Sequence, residues 1–309
     1  MKARILSLSI LIFSLSLFFT ACQKDSADQA DYGTQSTTHS DDQSRFSNEV
    51  DAVANDADLT LETTAGFAGR GEQVQSLICD ATVAVDTLSN PRTITITYNG
   101  TNCLGNRTRT GVIVISMAQN VRWKNAGAIL NVSFQNFKVT RLIDNKSITI
   151  NGTQSYTNVS GGLLINLASL GTITHTITSN NMSITFDNGS QRNWQVAKQR
   201  VFTYNNGVVI TSTGMHNEGN VTGIAEWGTN RFGNSFTTAV TSPLLVRQDC
   251  NFRITGGKVE HATANFNAAV TFGLDANGNP AGCPGLGNYY LKLVWTGLAG
   301  VSHTVILPY

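Results

Sequence analysis

From about residue 80 to the end, apolar and polar residues alternate with a period of two. Residues 92–98 (Arg-Thr-Ile-Thr-Ile-Thr-Tyr) do so without a break, and 111–117 form a fuller apolar run. Segments 129–139, 147–150, 172–178, 182–186, 194–204, 208–213, 221–227, 289–295 and 302–307 continue the series. Strict alternation marks a strand with one buried and one wet face. Between these runs stand Asn99-Gly100, Asn151-Gly152, Asn188-Gly189 and Asn206-Gly207. Such pairs tolerate the positive φ of a type I′ hairpin turn. The pattern predicts an all-β body, an antiparallel meander of long hairpins forming a curved sandwich or open clam. One stretch has helical spacing instead. Phe46, Val50, Val53 and Ala54 follow the capping run Asp41-Asp42-Gln43-Ser44, which predicts a short amphipathic helix over 43–57.

The first residues read as an address. Lys2 and Arg4 precede an apolar run of 15 residues, Ile5 to Phe19. That is short for a bilayer span of about 20 residues and suits a secretory signal. Phe19-Thr20-Ala21-Cys22 follows, small residues before a cysteine. This resembles a bacterial lipobox, and the resemblance implies cleavage before Cys22 and acylation of its thiol. The alternative is an ordinary signal peptide cut near Ala21. Gln23-Lys24-Asp25 is similar to the surface-export signal of Bacteroidetes lipoproteins, which implies an outer-membrane location, lipid-anchored and facing outward. Asp25-Ser26-Ala27 and Asp86-Thr87-Leu88 resemble the O-glycosylation motif of that phylum, at Ser26 and Thr87.

Composition refines this. The chain is 41% hydrophobic and only 13% charged, which excludes both a multi-span membrane protein and a fully disordered chain. Charge is unevenly divided. Residues 22–62 hold eight Asp and two Glu against Lys24 and Arg45, a net −8, while residues 63–309 carry +7. Residues 22–42, acidic and rich in Ser, Thr and Gln, are expected to be a disordered tether, with the helix and a linker over 43–62.

Cys79, Cys103, Cys250 and Cys283 remain once Cys22 is set aside. An even number in an exported chain indicates disulfides. Three pairings are allowed, and local order favours Cys79 with Cys103 and Cys250 with Cys283. Each pair sits in a strand–turn–Cys–Gly–strand unit, over 79–117 and 245–307. These units resemble ones in uncharacterised lipoproteins of Bacteroidetes, which attaches no activity to any residue and implies two related ends around a β middle. The cysteine spacing offers no zinc motif.

Chemistry is sparse. His39, His175, His216, His261 and His303 are scattered, with neither a metalloprotease helix nor a nucleophile elbow. His216, Glu218 and Glu226 form the best local acid–base group, and a carboxylate pair such as Glu218 and Glu226 is what glycoside hydrolysis would need. Asp275-Ala-Asn277-Gly-Asn279 has oxygens at calcium-loop spacing, but Pro280 and Leu286 stand where such a loop wants Gly and Glu. An Asx-rich turn accounts for it better. Arg107, Arg109, Arg122 and Lys124 are the densest basic set, near a hairpin with Trp123, and an aromatic beside cations suits acidic sugars; the alternative is a solvated basic face with Trp123 half buried. The expectation is a non-catalytic binding module for a glycan or an envelope or host partner. A structural subunit of an envelope complex ranks next and a secreted glycan hydrolase third. No cofactor, metal or nucleic-acid partner is expected.

Overall fold

The computed structural model describes residues 25–64, 67, 78–283, 287–296 and 300–309, with side chains from residue 33 onward. The signal segment and Cys22 lie outside the described residues, as does the side chain of Ser26. One long helix, α1 (Asp25–Thr63), precedes fifteen strands. The first seven are β1 (Ala81–Asp86), β2 (Arg92–Thr101), β3 (Arg107–Met117), β4 (Ala128–Arg141), β5 (Ser147–Asn158), β6 (Thr172–Phe186) and β7 (Gln191–Tyr204). Then come β8 (Val208–Gly214), β9 (His216–Glu218), β10 (Val221–Thr229), β11 (Ser235–Arg247), β12 (Arg253–Thr263), β13 (Asn267–Leu274), β14 (Tyr290–Thr296) and β15 (Ser302–Pro308). All belong to one antiparallel sheet, in which chain neighbours pair almost throughout. The all-β meander is therefore the fold.

The exception to simple order lies at β8 to β10. Both β8 and β10 pair with β7 on one side and β11 on the other, so they lie end to end in a single lane. Between them the chain leaves the lane as a small hairpin containing β9. Gly214 and Gly223 pinch its neck: a Cβ on Gly214 would sit 2.0 Å from the Gly223 carbonyl oxygen.

Bulges bend the sheet. Register shifts occur at Thr110/Val112, Phe134/Phe137, Asn151/Ser155 and Ser179/Met182, in four successive strand pairs. They line up across β3 to β7, and aligned bulges curl a sheet along a line. Gly152, at φ 124, occupies one of them. This is why Asn151-Gly152 is not the hairpin turn that its sequence predicts. Asn99-Gly100 also lies inside a ladder, opposite Thr110 and Arg109. Asn188-Gly189 and Asn206-Gly207 do form turns. Segments 172–178 and 182–186 are one bulged strand, β6. Strands β11 and β12 escaped the alternation rule because Pro243 and Gly256-Gly257 interrupt them at irregular register.

The sheet curls around α1. Phe46, Val50, Val53, Ala54, Ala57 and Leu61 form one apolar stripe that joins the inner face of β2 to β7 in a common core. A second core covers the inner face of β8 and β11 to β14 with Phe202. The helix is far longer than the short 43–57 element expected, and residues 33–42 are not a solvated tether. Ser36, His39, Ser40 and Asp42 are buried. His39 meets the rings of Phe236, His261 and Phe266 edge-on. Polar composition normally signals disorder, but here the curled sheet encloses these residues, with Arg231 on Asp42, Arg192 on Gln43 and aromatic rings around His39. The disulfides join Cys79 to Cys103 and Cys250 to Cys283.

Candidate functional site

The charge split along the sequence becomes a contact between helix and sheet. Arg109 holds Asp80 and Asp56, the latter at 2.8 Å, with its guanidinium over the Tyr98 ring. Lys198 pairs with Glu226, which also accepts from Ser47 at 2.7 Å. Arg231 grips Asp42 with two hydrogen bonds, Arg192 donates to Gln43, and Arg107 pairs with Glu49. Strand alternation turns Arg107 and Arg109 inward together, towards the acids of α1.

The C-terminal half of α1 leaves a cleft of about 990 Å³ against β7, β8 and the turn after β11. Phe202, Val208 and Ile210 supply apolar lining, and Asn55, Asp58 and Glu62 a polar wall. Glu62 accepts from the main-chain N–H groups of Leu164 and Ile165, fixing the helical turns Leu164–Asn166 and Leu167–Leu170 to α1. Burial nevertheless raises its pKa. Asp58 is different. It is 3% exposed and its Oδ1 has no hydrogen-bond partner among the described residues. His175 Nδ1 is 3.8 Å away and Arg200 Nη1 3.9 Å, both beyond hydrogen-bonding range. Burial raises the Asp58 carboxyl to about 7 against the pull of Arg200. Burial, with Arg200, lowers His175 to about 3, so its imidazole is neutral and its approach to Asp58 is not an ion pair. Arg200 is held by Asn55 at 2.7 Å.

Two aromatic rings face this cleft from the surface, Tyr204, 57% exposed, and Phe252, 38% exposed. Phe252 has φ 54 and Asn251 φ 57. A bulky residue in the left-handed region is strained, and such strain concentrates at functional sites. The turn is fastened on all sides. Phe252 N–H donates to the Arg247 carbonyl at 2.8 Å, Gln248 Oε1 accepts from Val208 N–H, and Cys250 is bonded to Cys283. No protein family, curated protein or solved structure significantly matches this chain.

The residues singled out in the sequence are mostly dispersed. Trp123 is wholly buried in the first core. Arg109 is buried in its acid pairs and Arg107 is engaged by Glu49, while Lys124 is exposed and Arg122 reaches the Gln119 carbonyl. The expected basic and aromatic patch does not assemble, because Trp123 points inward while its neighbours stay outside. His216 stacks on Trp227 with ring centroids 4.1 Å apart, Glu218 is exposed, and Glu226 is buried beneath Lys198. Hence Glu218 and Glu226 are not a catalytic pair. Asp275 accepts from the N–H groups of Asn277 and Asn279 in an Asx turn. Thr87 is exposed in the turn held by Asp86. Asp249, Cys250 and Cys283 lie within 4.8 Å of one another, but the disulfide removes both thiolates and Arg247 holds the carboxylate. No helix among the described residues is long and apolar enough to cross a membrane.

Sequence reasoning missed Asp58, Glu62, Tyr204 and Phe252. Only the helical spacing of Asp58 and Glu62 was legible; the cleft exists because distant strands meet the helix there.

Proposed function

We propose that this chain is an outer-membrane lipoprotein, anchored through Cys22 and exposed at the cell surface, that binds a glycan without transforming it. The lipobox and the export-like Gln23-Lys24-Asp25 support the address. The observation that carries the activity is the pair of exposed rings, Tyr204 and Phe252, on a cleft whose wall presents amides and carboxyls. Aromatic faces stack on the C–H faces of sugar rings, and a few fixed polar groups orient the hydroxyls. Asp58 lies in the wall of this cleft, its Oδ1 buried and without a hydrogen-bond partner among the described residues. Phe252, presented by a strained, disulfide-fastened turn, is also ordered before binding, which lowers the entropy lost on association.

The test is binding of the purified protein to a panel of neutral and acidic oligosaccharides at low and high salt. Saturable binding that survives salt is expected for one glycan class. Tyr204→Ala and Phe252→Ala should each weaken it about tenfold, equivalent to about 1.4 kcal/mol, with unchanged thermal unfolding. Equal affinity in both variants refutes this site. No binding to any glycan leaves an envelope protein as the partner. A second reading, glycan hydrolysis, is favoured by one feature: Asp58 is a carboxyl held near neutrality with Glu62 one turn on. Incubation of the bound glycan should produce no new reducing ends; their appearance would select the hydrolase.

A further inference from the structure

A recess of about 350 Å³, which shares Asn55, Asp56, Gln248 and Phe252 with the large cleft, leads along α1 to another cavity of about 580 Å³. Four guanidinium groups line that cavity: Arg45, Arg107, Arg141 and Arg253. Two of its lining residues are acids, Glu49 and Asp144. Glu49 holds Arg107, and Asp144 holds Arg141, which Asp41 also approaches at 3.1 Å. Arg45 and Arg253 have no Asp or Glu carboxylate within 4.0 Å among the described residues. Each donates instead to a main-chain oxygen, Arg45 to Lys146 at 2.8 Å and Arg253 to Tyr309. Even with the carboxylate of a chain ending at Tyr309 set against Arg253, Arg45 is left over.

Arg45 is only 7% exposed. Burial and the nearby Arg141 lower its pKa, while Asp41, Asp144 and Asp42 act on it from beyond contact. Burial and then Arg107 lower Arg253. A buried cation without a paired anion is costly. The guanidinium is a planar fork of five donors suited to carboxylate and phosphate oxygens, and Arg45 uses it for one hydrogen bond.

We propose that this cavity is an oxyanion site, in which Arg45, supported by Arg253 and Arg141, binds one phosphate, sulfate or carboxylate group. Such a group arrives either as a free ion or attached to a sugar. The proposal does not depend on the glycan reading, since inorganic ions probe it directly.

The experiment measures thermal unfolding and calorimetric binding of the full protein with sodium sulfate or phosphate against sodium chloride at equal ionic strength. Sulfate and phosphate should raise the unfolding temperature above the chloride control and bind saturably. Arg45→Gln should abolish that difference. Ile143→Glu provides a variant outside the core, because Ile143 is 69% exposed where it lines the cavity. A carboxylate there should weaken sulfate binding at least tenfold with the fold intact. Glucose 6-phosphate binding tenfold more tightly than inorganic phosphate would identify a sugar-borne group, and equal affinity a free ion. Sulfate and phosphate acting no differently from chloride would overturn the site. So would unchanged sulfate affinity in Ile143→Glu.

Discussion

Asp58 links burial to a measurable property. Its carboxyl titrates near 7 in the folded chain and near 3.9 when unfolded. The native state therefore binds the extra proton between these values, and stability is lost as pH rises through that window. Asp58→Asn should remove this loss. Relative to the variant, the natural protein should lose on the order of a few kcal/mol between pH 4.5 and pH 8, read by urea unfolding. Equal pH slopes would show that Asp58 is ionised without penalty. His175 and His261 act in the opposite direction. Each is depressed to about 3 by burial and then Arg200 or Arg192. Their unfolded forms take up protons below about 6.5, so they drive acid unfolding in protein and variant alike.

At the scale of elements, period two was enough to find most strands but not the bends between them. An Asn-Gly pair allows positive φ, and both a hairpin turn and a bulge use it. Which of these forms depends on whether a neighbouring strand continues past it, as at Asn151-Gly152. The neck of the β9 hairpin tests the importance of close approach. Gly214→Ala puts a methyl 2.0 Å from the Gly223 oxygen, and should destabilise the chain by about 2–4 kcal/mol in denaturant titration. Gly282→Ala meets nothing within 4 Å and should stay within about 0.5 kcal/mol of the natural protein. Similar values for the two would mean that the hairpin neck shifts freely. The helix illustrates the converse. Its apolar stripe at Phe46, Val50, Val53 and Ala54 was legible, while its extension to Asp25 was not. Ser36, His39 and Gln43 carry no hydrophobic signal.

For the whole molecule, the address and the folded body are separate questions. Cys22→Ser should abolish palmitate labelling of the exported chain and release it from the outer-membrane fraction. Labelling that persists would remove the lipid anchor from the proposal. Period-two patterning determined the all-β class and an even cysteine count the presence of disulfides, because alternation and composition are written in the chain itself, while the structure chose the pairing among the three allowed. The division of charge announced that an acidic segment and a basic body belong to one chain, without saying that one fills the other. Only the tertiary structure placed Asp58, Tyr204 and Phe252 on one cleft and gathered Arg45, Arg107, Arg141 and Arg253 around another. Those meetings depend on the curl of the sheet, which aligned bulges set across many strands, and no local pattern records how far a sheet curls.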